Sequence, residues 1–171
     1  MKFNIWKLFL IVFVFFPLLY AQESDFKPFT STDGKIKLTV PNNWAEMQLN
    51  ESAEVQLGFG AEEQYLIVLS ENKEDMYGWN IQKHSLVTLG NLVSSLDDPI
   101  IKAPVELTID NSKAIQYEIE GSSQGLRIVY IHTTVENENS FNQVLAWSIK
   151  SKYSSNKALL QNVVNSFQKI S

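Results

Sequence analysis

Ile36, Leu38 and Val40 alternate with Lys35, Lys37 and Thr39. A period of two sets one row of side chains on the dry face of a strand and the other in water. The pattern returns over residues 54–59 and 113–120, where Ile115, Tyr117 and Ile119 oppose Gln116, Glu118 and Glu120. It returns again over 141–151, with Leu145, Trp147 and Ile149 on one side. Residues 65–69 and the start of 126–135 are apolar on both sides, which predicts strands inside a sheet that is covered above and below. Val105 to Ile109 reads as one more strand. Turn residues separate these runs. Asp33-Gly34 is a strong hairpin signal because both positions tolerate positive φ. Asp110-Asn111-Ser112, residues 121–125 and residues 136–140 do the same further on. Strands joined this briefly pair mainly antiparallel.

Two segments change period. Ile81, Ser85, Leu86, Leu89, Leu92, Val93 and Leu96 recur at helical spacing and predict a helix over about 79–95, stopped by Asp97-Asp98-Pro99. Carboxylates close behind a helix oppose its dipole by about 0.3–1 kcal/mol, so the helix should end a residue or two early. The second helix should start at Ser154 or Ser155, natural N-caps. Its stripe is Leu159, Leu160, Val163, Val164, Phe167 and Ile170. The fold class is therefore α+β, a mainly antiparallel sheet sandwiched between helices on opposite faces. Trp44 and Trp147 are assigned to its core.

Ahead of these elements, Lys2 and Lys7 precede a run from Leu8 to Leu19 that is apolar except for Pro17, and Ala21 supplies a small residue before Gln22. That is the anatomy of a secretory signal peptide, residues 1–21. Its apolar part falls short of the roughly 20 residues that span a bilayer as a helix. Residues 22–28 read as a loose lead-in and 29–171 as a single domain, of ordinary size for one core. The expected location is periplasmic or secreted in a bacterium, with no membrane span after cleavage. The formal charge of -5 becomes -7 once Lys2 and Lys7 are lost. With one arginine against thirteen lysines, phosphate-rich partners such as nucleic acid are disfavoured. The absence of cysteine removes thiol catalysis, disulfides and Cys-based zinc sites.

Chemical motifs are sparse. His84 and His132 are the only histidines, and neither HxH nor HxxxH spacing occurs, so no metal site is expected. His132 shares a strand face with Ile128 and Tyr130 and reads as a partly buried, hydrogen-bonded histidine. No G-x-S-x-G elbow exists. The acidic groups at Glu71, Glu74 and Asp75, at Asp97 and Asp98, and at Glu136 and Glu138 lack calcium-loop spacing and read as solvated turns. Met76-Tyr77-Gly78-Trp79 places two large rings where a loop enters the first helix. Such rings either bind a partner or staple the helix start to the sheet.

Residues 29–44, FTSTDGKIKLTVPNNW, resemble the opening of the PsbP-like superfamily: an Asp-Gly hairpin, an alternating strand, Val-Pro, two polar residues and Trp. A terminal helix carrying Ser166-Phe167 near its end resembles the same group, and the element order fits over the whole mature chain. The resemblance implies a PsbP-like α/β/α sandwich. That superfamily includes photosystem accessory proteins, a Ran-binding import factor and DcrB-type periplasmic proteins, and the resemblance supplies no catalytic residue. It implies an exported, non-enzymatic accessory or binding protein. On the residues, its partner would be a protein or small molecule of the cell envelope, held without a cofactor through one sheet edge or through the loop of Tyr77 and Trp79. A second reading is an envelope hydrolase using His132 with Tyr130 and a nearby carboxylate.

Overall fold

The computed structural model describes residues 25–170, so the leader assigned to residues 1–21 lies outside the described residues. In chain order the elements are β1 (Phe26–Thr30), β2 (Ile36–Pro41), β3 (Ala45–Glu46), β4 (Val55–Phe59), β5 (Gln64–Asn72) and α1 (Ile81–Val93). Then come β6 (Asp97–Ile101), β7 (Val105–Ile109), β8 (Ser112–Ser123), β9 (Leu126–Glu136), β10 (Ser140–Ile149), α2 (Lys150–Asn165) and β11 (Gln168–Lys169). The large sheet runs β3-β4-β5-β10-β9-β8-β6, with β7 also paired to β8. A small sheet runs β1-β2-β11. The strand pairs β1-β2, β8-β9 and β9-β10 are antiparallel, as their short turns require, and β5 pairs antiparallel with β10 across a long connection.

Period-two alternation distributes the large sheet between two cores. Val129, Ile131 and Val135 of β9 and Val144 and Ala146 of β10 join Leu160, Val163 and Val164 of α2. Ile36, Leu38 and Val40 of β2 close over the same core. On the opposite face Ile115, Tyr117 and Ile119 of β8 and Phe141 of β10 meet Ile81 and Leu89 of α1. The two helices therefore sit on opposite faces, and β9 and β5 are interior strands.

Several expectations shift. Phe26–Thr30 is a strand that overlaps the end of the span read as a loose lead-in. It is an edge strand with an irregular exposure pattern, and so shows no alternation to read. Helix α1 ends at Val93, where the Ser94 and Ser95 hydroxyls donate to carbonyls three residues back. Asp97-Asp98-Pro99 is not merely a stop; it opens β6. Asp98 takes a positive φ of 48° and the register shifts between Asp97 and Ile100, a bulge that an edge strand tolerates along with proline. Helix α2 starts at Lys150, ahead of Ser154, without a side-chain cap. Lys150 pairs with Glu120 and Lys152 with Glu62, so ion pairs tie this first turn to β8 and to the turn before β5.

Trp44 is core, as expected. Its indole N–H donates to Gln64 Oε1 at 2.9 Å, and Gln64 Nε2 donates to Asn156 Oδ1 at 2.8 Å. Asn156 in turn donates to the Glu62 carbonyl and to Ser148 Oγ. This buried chain satisfies its polar groups while tying α2 to the sheet. Trp147 is only half-buried: it stacks on Tyr65 at 5.4 Å between centroids, at the part of the face beside α1.

Candidate functional site

The segment ahead of α1 is built tightly. The Trp79 N–H donates to the Met76 carbonyl at 3.0 Å, and Gly78 between them has φ +76°, a conformation that favours glycine. Asn80 caps the helix, its Oδ1 accepting from the Lys83 N–H at 2.8 Å. This turn separates the two rings that the sequence placed together. Tyr77 is 98% exposed. Trp79 is half-buried and packs with Met76 against the α1-side core. Its ring meets His84 edge-on at 6.3 Å, and Lys83 Nζ lies 4.7 Å from its centroid. Trp79 thus has the staple geometry and Tyr77 the free one. Leu86, whose spacing read as part of the apolar helical stripe, faces outward from α1, as does Val87.

Both histidines are fully buried between α1 and the sheet. His84 Nε2 lies 2.7 Å from Glu71 Oε2, and His132 Nε2 lies 3.0 Å from Thr88 Oγ1. The Thr88 hydroxyl donates to the His84 carbonyl at 3.0 Å, so its oxygen is free to accept from His132. A carboxylate accepts only, so His84 Nε2 carries a proton toward Glu71, and the Thr88 oxygen, its own proton spent on the His84 carbonyl, is placed to accept from His132 Nε2. Burial holds His132 down at about 4, and neighbouring His84 pushes the same way. The carboxylate that the hydrolase reading requires is bonded to His84, and Tyr130 lies toward Trp147, 6.0 Å between centroids.

A third feature was not read from the sequence. Turns gather at one end of the large sheet around a cleft of about 490 Å³, lined by Lys35, Glu54, Asn72, Asp110, Asn139 and Lys169 among others. Lys169 Nζ bonds Ser70 Oγ at 3.1 Å and pairs with Glu54 at 3.6 Å across its floor. Only the turn chemistry of Asp110-Asn111 and 136–140 hinted at it, because residues from three strands and from several turns far apart in the chain meet there. Among the described residues, no three His, Asp or Glu side chains are grouped to hold a metal ion. No described helix is long and apolar enough to cross a membrane.

No protein-family model matches the sequence, and no curated protein matches it. Solved structures match in shape. PsbP of the cyanobacterium Synechocystis sp. PCC 6803 aligns with TM-score 0.59 at 11% identity, over 88% of this chain and 96% of its own. The fold is PsbP-like. LpqN of Mycobacterium tuberculosis, involved in cell envelope biogenesis, aligns with TM-score 0.59 at 14% identity, over 84% of this chain and 89% of its own. The Ran-binding protein Mog1p of Saccharomyces cerevisiae aligns with TM-score 0.59 at 11% identity, over 84% and 95%. At such identities the PsbP-like likeness concerns architecture, and function must be argued from the site.

Proposed function

We propose that this chain is an exported, non-enzymatic binding protein of the cell envelope, which holds a partner through the loop that enters α1. The observation that carries the reading is Tyr77: a large ring almost wholly in solvent, on a turn fixed by Gly78, a backbone hydrogen bond and the docked Trp79. With the backbone of the turn already fixed, a partner that covers the ring has only the side chain left to order. Export is supported by the basic leader, apolar core and Ala21 of the sequence. A binding role on this scaffold has parallels in a Ran-binding protein and in a protein of envelope biogenesis. Hydrolysis through His132 is disfavoured because its ring is fully buried and its Nε2 is engaged by Thr88.

Two tests follow. Intact-mass measurement of the exported protein should give a chain that begins at or near Gln22; Met1 retained in a membrane fraction would refute export. For the contact loop, Tyr77→Ala should leave the melting curve within about 0.5 kcal/mol of wild type, as for an exposed side chain. It should weaken cross-linking to the envelope partner by about 30-fold, the worth of a 2 kcal/mol anchor. Trp79→Ala should instead lower stability, by about 1–3 kcal/mol. Undiminished cross-linking by Tyr77→Ala would show the loop to be structural only.

A further inference from the structure

Four buried side-chain atoms have no hydrogen-bond partner among the described residues: His84 Nδ1, Ser85 Oγ, His132 Nδ1 and Thr134 Oγ1. All belong either to α1 or to the face of β9 beneath it. The other helix is docked differently. The buried Asn156 of α2 is bonded through both its Nδ2 and its Oδ1, and Leu160, Val163 and Val164 supply apolar contact. Unpaired buried polar atoms weaken a contact, because water would satisfy them on opening.

The geometry points to an acid-released helix: α1 rests on the sheet through a layer of buried histidines and unpaired hydroxyls, and protonation of His132 lifts it while α2 stays docked. This inference is independent of what Tyr77 binds. Protonation must occur at His132 Nδ1, since Nε2 already carries a proton toward Thr88. The new N–H would have only the residue's own backbone to turn to, which burial outweighs, and its charge would sit near His84. The surrounding charged and titratable groups offer no rescue. Glu71 of β5 is bonded to His84. Tyr117 of β8 meets His132 edge-on at 6.3 Å. Phe141 of β10 stacks on His84 at 4.8 Å, with the Lys73 ammonium over its other side and Glu136 paired to that lysine at 3.0 Å.

The sign follows from linkage. Docked His132 takes its proton only near pH 4, whereas on an opened, wetted sheet it would titrate near its ordinary 6.5. Above 6.5 both states are neutral and docking is undisturbed. Between 6.5 and 4 only the open state is protonated, so opening gains about tenfold per pH unit, about 300-fold over the window.

Hydrogen exchange of the exported chain at pH 7, 5 and 4, corrected for the intrinsic pH dependence, tests this. Residues 81–93 should lose protection by up to about 300-fold, while residues 150–165 keep theirs. His132→Gln retains an N–H toward Thr88 and removes the titration, so its α1 response should flatten. Joint loss of protection in both helices, an α1 unchanged at pH 4, or a full acid response in His132→Gln would each overturn the inference. Should that variant fail to fold, NMR titration of the wild-type ring decides: His132 must titrate with the same midpoint as α1 opening, and separate midpoints refute the coupling.

Discussion

Phe167→Ala is expected to lower stability by about 3–5 kcal/mol, the range for emptying a fully buried phenylalanine site. The ring has no exposed surface and lies in the core shared by β2, the large sheet and α2. It follows α2 directly, past Ser166, whose backbone N–H bonds the Asn162 and Val163 carbonyls. Collapse around the cavity is hindered from both sides. Ser166 Oγ accepts from the Thr39 N–H at 2.9 Å, and β11 is paired to β2 just beyond. Urea melts of the two proteins would measure the loss at an unchanged slope. A loss below about 1 kcal/mol would mean that this segment is not docked.

The second large effect is acidic and belongs to α2. Glu118 on β8 accepts from the Tyr153 hydroxyl at 2.9 Å and from Lys157 at 2.7 Å, and pairs with Lys102. Burial alone would raise its carboxyl, but those donors outweigh it and hold the group at about 2, against an ordinary 4.5. A depressed carboxylate contributes stability that is complete above pH 4.5 and is lost as pH falls from 4.5 to 2. The shift corresponds to roughly 3 kcal/mol, reduced to about 2 because solvent reaches part of the network. Glu118→Gln should therefore melt at lower urea than wild type at pH 6 and draw level with it near pH 2. Parallel pH profiles for the two proteins would refute the assignment. Since His132 acts between 6.5 and 4 and Glu118 between 4.5 and 2, the two helices should respond to acid in windows that overlap only from 4.5 to 4.

Reading the chain unaided succeeds where one physical signal dominates. Alternation at Ile36, Leu38 and Val40 and at Ile115, Tyr117 and Ile119 reports a half-wet strand directly, and Asp33-Gly34 forms its turn with Gly34 at φ +76°. It fails where tertiary structure supplies what the local pattern lacks. Strand β6 carries Asp-Asp-Pro because an edge admits a bulge and a proline that would break an interior strand. The start of α2 was misplaced because no capping side chain marks it, while Ser154 and Ser155 lie inside the helix. Within the site, the sequence could pair Tyr77 with Trp79 but could not tell which ring the Gly78 turn would bury. The histidine layer was invisible for a similar reason: Glu71, His84 and His132 are brought together only by the docking of α1.

The small sheet has a consequence in time. Its middle strand, β2, lies early in the chain, yet the strand at one side, β11, comes more than 120 residues later. Ile170 N–H reaches back to the Lys35 carbonyl at 2.7 Å. During synthesis, at about 5–20 residues per second, everything between must be made before that seam can close and Phe167 can fill its place. Contacts so far apart along the chain also form slowly once available. A growing polypeptide of this design stays unsealed for several seconds, an interval in which a pore that accepts only extended chains can still take it.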